Sequence, residues 1–143
     1  MAGKYRYLDH VSDAYVECEG GSVEEAFESA GVALFNLMTD IERVEPKESR
    51  DIEVEGEDLS ALLFEWLSEL LYRYDAGMMY YSKFEVHSVE RHGDGFRLKA
   101  TIWGEKVDRS KHPPRTEVKA ATYSLMEIKR AAGRVIMRYV VDI

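Results

Sequence analysis

Asp9, His10 and Asp13 place two carboxylates and an imidazole within five residues, beside the apolar stretch Tyr5-Arg6-Tyr7-Leu8. Polar groups at that density are costly to bury without partners. At the other end of the chain, Val140-Val141-Asp142-Ile143 sets a side-chain carboxylate next to the terminal one. Where both ends meet, three or four anionic oxygens repel one another and raise each other's pKa unless a cation sits between them. A hard divalent ion with oxygen ligands is the chemistry such a set serves. Residue types alone do not choose between Asp9 and Asp13. Asp9 reads as a turn acceptor where a strand ends, His10 as a packed, hydrogen-bonded histidine, and Asp40 as the close of a helix. A cation held there could instead activate water for hydrolysis, with His10 or His112 as the adjacent base. No nucleophile motif or phosphate-binding glycine loop supports that reading.

A second polar concentration, Arg109, Lys111, His112, Arg115 and Lys119, falls in a Pro113-Pro114 segment that reads as loop. Such clusters are more often solvated surface than binding sites. The net charge of −8 argues against a direct grip on nucleic acid, since affinity for phosphate backbones comes from clustered Lys and Arg. Cys18 is the sole cysteine, which excludes an intrachain disulfide, and its place in an alternating stretch reads as a small core hydrophobe. With 143 residues, 45% apolar and 32% charged, the composition is that of one globular domain over residues 1–143. No apolar run approaches the roughly 18 residues that cross a bilayer, and the start lacks the apolar segment of a signal peptide, so a cytoplasmic protein without membrane contact is expected.

The elements that must position these groups follow from periodicity. Tyr5 to Leu8 and Ala14 to Glu19 read as strands. Ser22, three residues before Glu25, forms a capping box ahead of Val23, Ala26, Phe27, Ala30 and Leu34 at helical spacing. A short strand over Arg50 to Val54 precedes Asp58, the expected N-cap of the strongest amphipathic helix, with Leu62, Leu63, Trp66, Leu67, Leu70 and Tyr74 on its apolar stripe. Met78 to Arg91 alternates as a long strand, His92-Gly93-Asp94-Gly95 as a hairpin turn, and Phe96 to Trp103 as the returning strand. Gly104 to Thr116 reads as loop, and Val118 to Ile128 as either a helical turn leading into a strand or one long strand. Val135 to Val141 is apolar enough for a central strand that secures the C-terminus. The expected fold class is α+β, a two-layer sandwich of two main helices against a mostly antiparallel sheet.

Tyr7-Leu8-Asp9-His10-Val11-Ser12-Asp13 resembles the "DHTAD" opening of the archeases, with Val11-Ser12 in place of the usual Thr-Ala. The match continues through Ser22 to Phe27, Met38-Thr39-Asp40, Leu62 to Tyr72, Gly104-Glu105, Lys111-His112, Glu117 to Tyr123 and Asp142-Ile143. The resemblance implies a metal-binding helper with no reaction of its own, acting on the RtcB-type RNA ligase in tRNA splicing and RNA repair. That helper promotes guanylylation and multiple turnover of the ligase. It implies Asp13, Asp142 and Ile143 as metal ligands, for calcium as seen in family members, with magnesium or manganese as alternatives. Lys119 and His112, in two of the matching segments, are candidate contacts to the ligase or a phosphate. A chaperone-like role toward RNA-modifying methyltransferases, also suggested for archeases, is the other reading the resemblance carries.

Overall fold

The computed structural model describes residues 3–8 and 13–143. Asp9 and His10 lie outside the described residues. Among the described residues the order is β1 (Lys4–Leu8), β2 (Asp13–Gly20), α1 (Val23–Met38), a 3-10 turn (Ile41–Arg43), β3 (Glu48–Gly56), α2 (Leu59–Gly77), β4 (Met79–His92), β5 (Gly95–Lys106), β6 (Ala120–Ala121), β7 (Glu127–Ala131) and β8 (Arg134–Asp142). This is the expected α+β architecture of two helices against antiparallel sheet. The strands divide between two sheets, β1-β2-β8-β6 with β7 also on β8, and β3-β5-β4.

Both helices begin where side-chain chemistry marks them. The Glu25 carboxylate reaches back to the Gly21 amide at 2.9 Å, while Ser22 Oγ accepts from the Glu25 amide at 3.2 Å, satisfying one orphaned donor of the first turn. Asp58 Oδ1 does the same for the Ala61 amide at 2.7 Å. α1 lies against β2 and β4, and α2 against β3, so the helices join the two sheets through one apolar core. Trp66 is fully buried there and spends its indole N–H on the Phe27 carbonyl at 2.9 Å, a packing role with no chemistry. Tyr139 of β8 donates to the Ala30 carbonyl at 3.0 Å, tying the central strand to α1. Cys18 is buried in the same core, where desolvation pushes its thiol up, away from a reactive thiolate.

Three segments differ from the periodicity reading. β3 runs from Glu48 to Gly56, longer than its weak alternation suggests. β5 continues through Gly104 to Lys106, into the expected loop, because Gly104 pairs with both Tyr81 and Glu48. Val118 to Ile128 is neither helical nor one strand. The two-residue β6 and the start of β7 both pair with β8, separated by a turn in which Leu125 takes φ 54°. Among the described residues no helix is long and apolar enough to cross a membrane.

Candidate functional site

The register of β2 on β8 sets Asp13 directly opposite Asp142. Directly opposed residues of an antiparallel pair share one face of the sheet with their Cβ atoms about 5 Å apart, and like charges so placed repel. On the other side of Asp142 stands β6, where Ala120 pairs with it and the Lys119 amide donates to its carbonyl at 2.8 Å. Asp142 is therefore held from both sides although its side chain is exposed, and Ile143 follows at the surface. Two carboxylates on one face are hard-oxygen donors, the ligand type that oxygen-seeking divalent cations take. Among the described residues no three His, Cys, Asp or Glu side chains gather to hold a metal. The described part of this site thus amounts to the side chains of Asp13 and Asp142, with Ile143 following at the surface.

The other candidates separate from it. Asp40 does not close α1. Thr39 is the C-cap, and Asp40 Oδ1 accepts from the Glu42 amide at 3.2 Å as N-cap of the 3-10 turn. Lys119 is exposed beside Asp142. His112 is 1% exposed, so the reading of its imidazole as a surface contact to a partner is corrected. Its Nδ1 accepts from the Asp108 amide at 3.0 Å, which leaves Nε2 to donate to Glu105 at 2.8 Å. Glu105, itself 7% exposed, also accepts from the Glu45 amide at 2.9 Å and pairs with Lys111, which reaches Glu45 as well. Burial alone would push the Glu105 carboxyl up. The donors from Lys111, Glu45 and His112 outweigh it and hold the pKa at about 2. One glutamate at a strand end carries no spacing signal, so Glu105 stands out in the sequence only within the Gly104-Glu105 segment of the archease resemblance.

This buried network anchors a loop whose far end caps α1. The Arg115 and Thr116 amides donate to the Met38 and Leu37 carbonyls, each at 3.0 Å, and the Arg115 guanidinium to the Asn36 carbonyl at 3.0 Å. Three orphan acceptors of the last turn are thereby satisfied. Between this loop and the C-terminal half of α2 runs a groove of about 800 Å³, lined among others by Tyr72 and Asp75 from the helix and by Arg109, Arg115, Glu117 and Lys119 from the loop.

Residues 5–143 match the family model described as the Archease protein family (MTH1598/TM1083). The chain belongs to the archease family. It is similar to the protein archease of Sulfurisphaera tokodaii, 42% identical over 140 residues that cover 98% of this chain and 99% of the relative. The protein archease of Pyrococcus abyssi is likewise 42% identical over 141 residues, with 98% and 99% covered. In structure the chain is similar to Methanobacterium thermoautotrophicum protein 1598, known in solution, with a TM-score of 0.85, 36% identity, and 97% of this chain and 98% of that one covered. A crystal structure described as an archease and possible chaperone, from Thermotoga maritima, shares the fold with a TM-score of 0.61 at 22% identity, covering 95% and 94%. In this archease-family chain, the second Asp of the opening motif and the penultimate Asp are cross-strand neighbours.

Proposed function

We propose that this chain is a metal-binding accessory protein of an RtcB-type RNA ligase, without a reaction of its own, that promotes guanylylation and multiple turnover of the ligase. The observation that carries this reading is the pairing of Asp13 with Asp142 at the end of the β2–β8 ladder, in a chain of the archease family. Asp13, Asp142 and the carboxylate of Ile143 would hold the cation, calcium or, in the cell, magnesium or manganese. Bound there, the ion would neutralise the opposed carboxylates and supply a hard Lewis-acidic centre at an exposed tip. β8 and β2 present the two aspartates, and the Lys119 amide fixes the backbone behind them.

The experiment is to titrate purified ligase with the protein during RNA joining and to follow guanylylation, with a methyltransferase assay alongside. Asp13→Ala and Asp142→Ala should keep their thermal unfolding transition, because the core rests on α1 and α2, and should lose stimulation of the ligase. Removal of Ile143 should impair it too, since the terminal carboxylate then moves onto Asp142. Wild-type stimulation by variants that no longer bind metal would overturn the role given to the cation. Stimulation of the methyltransferase alone would overturn the choice of partner.

A further inference from the structure

The groove between α2 and the 109–119 loop carries charge of the opposite sign to the molecule. In a chain with 27 acidic against 19 basic residues, many described cations are matched to carboxylates: Arg6 and Arg138 to Glu17, Arg73 to Glu69, Arg97 to Glu53 and Glu55. Among the described residues Arg109, Arg115 and Lys119 form no ion pair, and the Arg115 guanidinium donates only to the neutral carbonyl and side-chain oxygens of Asn36. Asp75 and Glu117 share the lining, yet neither stands within ion-pair distance of the three. Three cations against two carboxylates, with no ion pair between them, leave the concavity a small net positive charge, which favours anions.

The helix wall adds flat aromatic surface. Phe64, Ser68 and Tyr72 follow at i, i+4 and i+8 on one face of α2. At the first of these positions Tyr123 already lies flat on Phe64, ring centroids 4.3 Å apart and planes 8° from parallel. Two turns on, Tyr72 is 62% exposed at the groove. A volume of about 800 Å³ falls within the range of small-molecule clefts. A ligand that satisfies both walls has phosphates for the cations and a planar base for the tyrosine. The overall charge of −8 opposes a long phosphate backbone, so the ligand is one nucleotide, either free or at the end of an RNA strand.

We propose that this groove binds a phosphorylated nucleoside, with its phosphates on Arg109, Arg115 and Lys119 and its base against Tyr72. The site stands on the groove alone and is independent of the ligase reading. It is tested by calorimetry on the isolated full chain in chelator, so that no cation at the Asp13 and Asp142 end contributes and failure here leaves the ligase reading standing. The titrants are guanosine triphosphate, inorganic triphosphate, guanosine, a short single-stranded RNA with a terminal phosphate, and a glutamate-rich peptide. The nucleotide should bind more tightly than inorganic triphosphate or guanosine and more weakly as salt rises. The exposed pair Arg109→Glu with Lys119→Glu should weaken it about tenfold or more while thermal unfolding stays unchanged. Tyr72→Ala should weaken the nucleotide and leave inorganic triphosphate unaffected. Tighter binding of the RNA than of the nucleotide identifies an RNA end as the source, and the reverse a free nucleotide. Absence of nucleotide binding, binding that neither variant moves, or binding of the peptide in its place overturns the proposal.

Discussion

Glu105 shows how one carboxylate can set the conformation of a loop. It accepts from the Glu45 amide, from Lys111 and from His112, and so joins the end of β5 to two separate chain segments. Because its folded pKa of about 2 lies below the ordinary 4.5, the folded state binds the proton less readily than the unfolded one. Its contribution is therefore fully present above about pH 4.5 and is lost as pH falls toward 2. Urea midpoints measured across that window should fall more steeply for the wild type than for Glu105→Gln, which has no proton to gain. Parallel curves for the two proteins would remove Glu105 from the acid transition. His112→Ala leaves the Asp108 amide without its imidazole acceptor and removes one of several donors to Glu105 Oε2, which keeps the Glu45 amide and Lys111. Each lost bond should therefore cost about 0.5–1.5 kcal/mol in the same measurement.

At the scale of elements, the hairpin of β4 and β5 decides the course of the chain toward the groove. Gly104 pairs with Tyr81 in the β4–β5 ladder, and a Cβ there would sit 1.9 Å from the Tyr80 carbonyl oxygen. The ladder shifts register between Tyr81 and Lys83 at that point, so the strands have little slack. Gly104→Ala should push them apart and destabilise the protein by about 1–3 kcal/mol, read as a lower thermal midpoint. An unchanged midpoint would mean that the hairpin yields. Arg115 illustrates a second element-scale effect. α1 has no basic residue in its last turn, and a guanidinium from a loop distant in sequence supplies the positive charge and donors that a helix C-terminus favours.

At the scale of the whole molecule, the charge of −8 and the carboxylates at the end of β2 and β8 give the protein an acidic tip. A ligase that binds RNA phosphates and guanosine triphosphate is expected to have a positive cleft, and complementary charge steers association and makes it sensitive to salt. Under the proposed function, half-maximal stimulation of a ligase should therefore need more of the protein as ionic strength rises. Salt-independent stimulation would place the docking surface away from this tip.

Much of this was legible in one dimension. The capping box at Ser22, the Asp58 cap, the apolar stripe of α2, the Gly93-Asp94 turn and the central β8 all rest on local periodicity and side-chain hydrogen bonding, which neighbouring residues determine. That the two chain ends meet stood in the sequence only as a condition for gathering the oxygens, and the pairing of β2 with β8 supplies it. Tertiary structure alone decided the rest. Propensity left Val118 to Ile128 open, and it is the edge of β8 that draws it into β6 and β7. His112 read as surface because charged and proline-rich neighbours surround it, whereas its burial follows from Glu105, Asp108 and the Glu45 amide converging on one point. The groove likewise joins one face of α2 to a loop more than thirty residues away, an adjacency that spacing along the chain does not encode.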